Sequence, residues 1–260
     1  MDPAWRSRYE VARGLAAEAA QLARRYFDAD VTVDWKQDAS PVTVADREAE
    51  LLLRTGLLRH FPDDGFLGEE YGEKPGSTGF RWIIDPIDGT RSFVRGIPLW
   101  GTLVGLEFRG EPIAGVVELP ALGQTFCALR GDGAFRNDRR LRVSEVSCLS
   151  EATFFYTGLR YFDTAGQVPT LLRVARQAQN PRGFGDVYGF MLVAQGAGEF
   201  MLEHGVHVWD IAAVLPIIEE AGGRLTDWTG QRTVLRPDVL ASNGRLHDDV
   251  LRLIRPTAGG

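Results

Sequence analysis

Trp82-Ile83-Ile84-Asp85-Pro86-Ile87-Asp88-Gly89-Thr90 is the stretch from which the rest of the chain is read. Phe80 to Ile84 is a short aromatic and β-branched run, which predicts a buried strand. Pro86 cannot supply a ladder hydrogen bond and is expected to end that strand. Asp85 then stands at the strand's end and Asp88 a few residues on, in an extended turn, because the proline blocks a helix. Such a turn aims both carboxylates at one point and leaves the Ile87 carbonyl free. Gly89 permits close backbone approach or an unusual dihedral, and Thr90 is placed to cap a short helix from Arg91 whose first N–H groups form an anion site. Just upstream, Phe66-Leu67-Gly68 reads as a strand delivering Glu69 and Glu70. Hard oxygen ligands beside an anion-binding helix start suit Mg²⁺ holding a phosphate. Each piece has an ordinary reading too: Asp-Pro and Asp-Gly are turn signals, and a Glu-Glu pair is usually solvated.

Outward from this stretch, residues 3–28 predict an amphipathic helix, with Tyr9, Ala12, Leu15, Ala16, Ala19, Leu22 and Ala23 at helical spacing. Val31 to Trp35 predicts a strand and Ser40-Pro41 a turn; Thr43 is placed to cap a helix running through Leu58, with Ala45, Ala49, Leu52 and Leu53 inward. Asp46 in its first turn reads as an acid favourable to the helix dipole. Gly72 to Gly79 looks like a mobile loop. Gly101–Phe108 and Pro112–Glu118 predict an antiparallel hairpin turning at Arg109-Gly110, with further strands at 124–129, 133–136 and 152–155. Beyond it, helices are expected at 168–179, from Asp186, from Val208 to Ala221, and at 247–255, with strands at 198–202, 224–228 and 238–242. The first part, about 1–150, predicts helices against an antiparallel sheet; the second, 151–260, predicts a mixed sheet flanked by helices.

The bulk numbers agree with an ordinary globular protein: 260 residues, 44% hydrophobic and 25% charged. A net charge of −6 argues against a nucleic-acid or membrane-surface role, which usually shows a basic patch. An acidic protein that binds phosphate needs local positive charge, and metal ions would supply it. Cys127 and Cys148 fit no metal spacing and read as reduced thiols, which suggests a cytoplasmic protein. No signal-peptide pattern and no apolar run of membrane-spanning length is evident. His60, His204, His207 and His247 lack zinc-site spacing; His207, close to Asp210, reads mainly as a packing residue.

The joint pattern resembles the signature of the Mg²⁺-dependent, lithium-sensitive phosphatases of the inositol monophosphatase superfamily. Ser40-Pro41-Val42-Thr43-Val44-Ala45-Asp46 matches its first motif, and Trp209-Asp210-Ile211-Ala212-Ala213 with Glu219-Glu220-Ala221-Gly222-Gly223 its third. The resemblance implies one domain over 1–260 with the layered α/β/α/β/α sandwich of that superfamily. It implies that Glu69, Asp85 and the Ile87 carbonyl hold a first Mg²⁺, that Asp85, Asp88 and Asp210 hold a second, and that a third shares Glu69. The N–H groups of Gly89 and Thr90 would hold phosphate oxygens. Asp46 would accept a hydrogen bond from Thr90, orienting that hydroxyl toward the attacking water. Lys36 matches a lysine kept near the metals; by residue type alone it is a snorkelling surface lysine. A homodimer is also implied.

Within the superfamily, Asp88-Gly89-Thr90-Arg91-Ser92-Phe93-Val94-Arg95-Gly96-Ile97-Pro98-Leu99-Trp100 looks most like the histidinol-phosphate phosphatases, with Arg91 after the threonine. So do Gly131-Asp132-Gly133-Ala134-Phe135 and Gly185-Asp186. Ser92, where asparagine is expected, is a mild departure. This branch implies hydrolysis of L-histidinol phosphate, with Asp186 and Glu203 as carboxylates for a cationic leaving group. By type alone Asp186 is a helix N-cap after Gly185. The alternatives are an inositol-1-monophosphatase or a broad sugar- or nucleotide-phosphate phosphatase. A non-enzymatic relative is disfavoured because every expected ligand is present.

Overall fold

A computed structural model describes residues 2–27, 29, 33–35 and 41–255. Lys36 and Ser40 therefore lie outside the described residues, as do Val31 and Thr32 of the first predicted strand.

Five layers stack in the order expected. The outer helical layer is α1 (Pro3–Phe27) and α2 (Val44–His60). Tyr9, Ala12, Ala16 and Ala19 of α1 and Ala49, Leu53 and Leu57 of α2 are buried against Phe66, Trp82 and Ile84 of the first sheet. The alanine stripe lets α1 lie close to the sheet. Leu53 is completely buried, and its truncation to alanine would cost about 2–5 kcal/mol. Two short strands, β1 (Val33–Trp35) and β2 (Pro41–Thr43), pair antiparallel between these helices.

The second layer is an eight-stranded sheet. It comprises β3 (Gly65–Gly68), β4 (Gly72–Lys74), β5 (Phe80–Asp88), β6 (Gly101–Phe108), β7 (Glu111–Leu119), β8 (Gln124–Leu129), β9 (Gly133–Arg136) and β10 (Arg139–Arg140). They run in the order β10-β9-β8-β7-β6-β5-β3-β4, antiparallel except for the parallel β3–β5 pair. The predicted hairpin is β6–β7, turning at Arg109-Gly110.

Two expectations are corrected here. Pro86 does not end the strand: β5 runs on to Asp88, and the β6 ladder slips between Asp85 and Asp88 before resuming at Asp88–Gly101. A bulge absorbs the proline, whose missing N–H costs no ladder bond there, and its carbonyl accepts from the Thr102 hydroxyl at 2.8 Å. Gly72–Gly79 is likewise no free loop. It starts as β4, and its remainder is pinned by Ser77 N–H to the Asp63 carbonyl at 2.8 Å and Thr78 Oγ1 to Asp64 Oδ1 at 2.7 Å.

The middle layer holds α6 (Asp186–Ala194), α7 (Val208–Ala212) and α8 (Val214–Glu220). The sequence predicts one helix from Val208 to Ala221; the structure breaks it at Ala213. Pro216 removes the N–H that would have bonded across the junction. The junction sits directly on the cross-strand pair Gly105–Gly115. A Cβ on Gly105 would come within 2.9 Å of Ala212 Cβ, and one on Gly115 would land on the Ala213 carbonyl. These two glycines let backbone meet backbone at the end of α7, which packs on β5 and β6.

The fourth layer is a five-stranded mixed sheet of β11 (Thr153–Tyr156), β12 (Asn180–Arg182), β13 (Phe200–His204), β14 (Arg224–Thr226) and β15 (Asp238–Ser242), ordered β12-β11-β13-β15-β14. The last layer is α4 (Leu159–Thr164), α5 (Val168–Ala175) and α9 (His247–Ile254), packed through Phe162, Leu171, Val174, Val250 and Ile254 onto Phe154, Phe200, Leu202 and Leu240. Strand alternation sends Met201 to the middle layer, and Glu203 follows on that same face.

Candidate active site

The site forms where the end of β5 meets the starts of α6 and α7. Trp82 and Ile84 face the outer helices, so Asp85 faces the middle layer with Leu103, opposite it on β6. The bulge then turns Asp88 to the same side. Oxygens of Asp85, Asp88 and Asp210 all lie within 4.8 Å of one another. Asp85 and Asp88 are buried, and burial is the largest influence lifting both carboxyls above their usual range. Their acidic neighbours then lift them further: Glu69, Asp88 and Asp210 act on Asp85, and Asp186, Asp210 and Glu203 on Asp88. An all-oxygen donor set under mutual repulsion fits a hard divalent cation, which would relieve it.

Glu69 stands beside Asp85, sharing a carboxyl hydrogen bond with it, and its own backbone N–H donates to the Ile84 carbonyl at 3.3 Å. The three-aspartate cluster is tighter and does not include Glu69. Asp210 is the third residue of α7 and accepts from the His207 N–H at 2.7 Å, closing a capping box. His207 is exposed and stacked on Trp209 at 4.9 Å, rather than packed inside. Asp88 Oδ2 accepts from the Val187 N–H at 2.5 Å, which ties the β5 corner to the start of α6.

The Asp-Gly-Thr corner differs from expectation. Gly89, at φ 82°, is itself the N-cap of α3 (Thr90–Phe93), and Thr90 is the first helical residue. The Thr90 hydroxyl donates to the Ile87 carbonyl at 2.9 Å. It does not donate to Asp46, whose Oδ2 accepts from both the Thr43 N–H at 2.8 Å and the Thr43 hydroxyl at 2.7 Å. The expected Asp46–Thr90 pair is therefore replaced by two local ones. Each threonine finds its partner three residues away along the chain, where N-cap and turn geometry already place it. Asp46 is nonetheless close to the site: its carboxyl is raised to about 6, chiefly by burial, with the two Thr43 bonds pulling it down and Glu70 and Glu69 adding to the rise.

Beside the aspartate cluster, Asp186 opens α6 with φ 54° and makes no side-chain cap bond, so it is not the N-cap its residue type suggests. Its carboxyl is raised to about 6, first by burial and then by Asp210, with Arg91 opposing. A left-handed backbone at a non-glycine residue is a cost that clusters at functional positions. Glu203 is buried, and its carboxyl lies well above the usual range, first through burial and then through Asp186; a Thr157 hydrogen bond opposes this. Glu203 Oε2 has no hydrogen-bond partner among the described residues.

Two residues at the site escaped the sequence reading. Thr157 becomes visible only as the partner of Glu203. Glu50 is wholly buried on α2 and accepts the N–H groups of Glu70 at 2.7 Å and Tyr71 at 2.9 Å. Burial raises its carboxyl; those two N–H bonds lower it, and Glu70 and Glu69 raise it. Its position beside the inward-facing Ala49 and Leu53 was the available signal.

A model of the inositol monophosphatase family matches residues 4–257. The histidinol-phosphatase of Chlorobaculum parvum is 44% identical over 236 residues, which is 90% of this chain and 90% of that one. The histidinol-phosphatase of Mycobacterium tuberculosis is 41% identical over 93% of this chain and 95% of its own. Among solved structures, the extragenic suppressor protein suhB of Bartonella henselae superposes with a TM-score of 0.90 at 31% identity, covering 95% of this chain and 97% of that one. Among the described residues no helix is long and apolar enough to cross a membrane.

Proposed function

Since the chain belongs to the inositol monophosphatase family, a metal-dependent family, we propose that it hydrolyses L-histidinol phosphate to L-histidinol and phosphate using Mg²⁺. The observation that carries this reading is the pair of buried carboxylates Asp186 and Glu203 beside the aspartate cluster. Inositol is neutral and asks for hydrogen bonds. Histidinol carries an ammonium and a titratable imidazole, and these ask for carboxylates beyond those consumed by metal. The names of the relatives from C. parvum and M. tuberculosis support the same substrate.

Glu69, Asp85, Asp88, Asp210 and the Ile87 carbonyl would hold two Mg²⁺ ions, with a third at Glu69. When bound, the metal supplies neutralisation of the phosphate dianion and the leaving alkoxide, and a lowered pKa for water. The Gly89 and Thr90 N–H groups orient phosphate oxygens. Thr90 and Glu69 orient the attacking water, and Glu69 takes its proton. Water attacks phosphorus, the ester bond breaks, and the alkoxide takes a proton from solvent. Asp46 supports this from the start of α2, near Glu69 and Glu70. Arg91 balances Asp186. Glu70 lends its backbone to the turn. Both halves supply site residues, so we take the chain to work as one domain, as a cytoplasmic homodimer inhibited by lithium.

The test is phosphate release by purified protein across L-histidinol phosphate, inositol 1-phosphate, fructose 1,6-bisphosphate and adenosine bisphosphate. The highest kcat/KM is expected on histidinol phosphate. A higher value on inositol 1-phosphate would overturn the assignment in favour of an inositol monophosphatase.

A further inference from the structure

We propose that Glu50, a carboxylate outside the reacting cluster, is a positioning residue that sets where Glu69 stands. Asp46, Glu50 and Arg54 follow one another at four-residue spacing along α2, on one stripe of the helix. Asp46 closes the start of the helix, and the other two hold the turn after β3. Glu50 Oε2 accepts from the Glu70 N–H at 2.7 Å, and Oε1 from the Tyr71 N–H at 2.9 Å. Arg54 Nη1 donates to the Tyr71 carbonyl at 3.3 Å. On the other side, the Glu69 N–H donates to Ile84 on β5. The backbone from Glu69 to Tyr71 is therefore held residue by residue, between a strand and a helix, and the Glu69 side chain leaves from its first position.

The turn is also shaped around this carboxylate. A Cβ on Gly68 would land on Glu50 Oε1, so the residue before Glu69 must be glycine while Glu50 stays in place. The chemistry explains why a carboxylate is used rather than an amide. Two convergent N–H donors need two acceptor oxygens; glutamine has one, and its NH₂ would face a donor. The geometry is costly for the fold, because Glu50 is fully buried with Glu69 and Glu70 close by. An apolar side chain in its place would leave the Glu70 and Tyr71 N–H groups without these acceptors. Both Glu50 oxygens accept N–H groups of the turn, and Glu50 is not among the three carboxylates that cluster.

The inference rests on Glu69 being a metal ligand, and the experiment separates the two. Mn²⁺ would be titrated into the purified full-length protein, with free ion read by electron paramagnetic resonance. Wild type, Glu69→Gln, Glu50→Gln, Gly68→Ala and Leu53→Ala would be compared at one temperature below all their melting points. Glu69→Gln is expected to weaken Mn²⁺ binding strongly. Glu50→Gln should weaken it by about tenfold or more, as loss of a group that orients a ligand does, with the same shift in half-saturating Mg²⁺ for turnover. Its substrate KM at saturating metal should stay within about twofold of wild type. Gly68→Ala should show the same weakening, and carries the test should Glu50→Gln fail to fold. Leu53→Ala, a buried truncation on the same helix, should bind Mn²⁺ as wild type does. Wild-type Mn²⁺ affinity in Glu50→Gln or Gly68→Ala, beside a weakened Glu69→Gln, would overturn the positioning role alone. An equal weakening in Leu53→Ala would also overturn it, by reducing the effect to general destabilisation. Wild-type affinity in Glu69→Gln would sink both ideas.

Discussion

The two sides of the site are built by different means. Glu69, Asp85, Asp88 and Thr90 come from one short run of chain on the adjacent strands β3 and β5 and the corner that follows. Asp186, Glu203 and Asp210 come from two helix starts and a strand of the other sheet. The first side cannot shift without disturbing β3 and β5, two paired strands inside an eight-stranded sheet. The second is assembled from elements that each bring one carboxylate, and a single substitution there can change what is recognised. This division suggests that chemistry is invested in the first side and specificity in the second, with Asp210 crossing over to complete the cluster.

The largest expected effect tests the first side. Asp88→Asn should lower kcat by about 10³-fold or more on every substrate, since metal charge is worth several kcal/mol to such a transition state. Excess EDTA should do the same to wild type. Near-wild-type turnover in either experiment would break the division at its strongest point.

The next effects sharpen the other side. A charge-assisted hydrogen bond is worth roughly 1.5–3 kcal/mol, so Glu203→Gln and Asp186→Asn should each cut kcat/KM on histidinol phosphate by roughly ten- to a hundred-fold. A simple sugar phosphate should be hydrolysed almost as before. Asparagine is the right replacement at Asp186 because it tolerates that residue's left-handed backbone. Equal losses on both substrates would show that these carboxylates serve the scaffold.

A smaller effect concerns the scaffold beside the first side. Thr43 and Asp46 share one capping box, so Thr43→Ala and Asp46→Asn should each cost about 1 kcal/mol in urea unfolding, and the double variant little more. Simple addition of the two costs would mean that Asp46 has another partner.

The mildest test touches the scaffold of the second side. His247 is buried, hydrogen-bonded through Nδ1 to Ser242 at 2.7 Å and Nε2 to Thr226 at 2.9 Å, and burial lowers its pKa to about 4. Between its unfolded value near 6.5 and about 4 the unfolded chain binds the extra proton. Stability therefore falls as pH drops through that window, by about 1 kcal/mol at pH 5.5. Measured from pH 7.5 to 5, the urea midpoint of wild type should fall with pH more steeply than that of His247→Gln. An unchanged slope in His247→Gln would place the acid sensitivity elsewhere.

Much of the architecture was legible because period and punctuation are local properties. The alanine stripe of α1, the β6–β7 hairpin and the strands at 124–129 and 238–242 match their sequence patterns. The elements that escaped notice are β2, β4, β10, β12 and α4, all short or peripheral and held by what they lie against. Pro86 misled for the same reason. Its local meaning is a stop, yet β6 on the far side of the bulge picks the ladder up again. The Val208–Ala221 helix broke at Ala213 because Pro216 and the glycine pair beneath it act together, and only one of these is near in sequence.

The site divides in the same way. The sequence alone determined which carboxylates could converge: Asp85 and Asp88 stand either side of a proline in one strand end, and Glu69 follows the strand next to it. A short covalent tether is enough to bring such groups together. Only the tertiary structure decided hydrogen-bond partners and burial. It put the Thr90 hydroxyl on Ile87 and Asp46 on Thr43, buried Glu203 with one oxygen unpartnered, and closed Glu50 under the Glu69 turn. A hydroxyl or carboxylate has several partners within reach of its own chain. Which one it takes depends on the packing of elements far away in sequence, which no local pattern encodes.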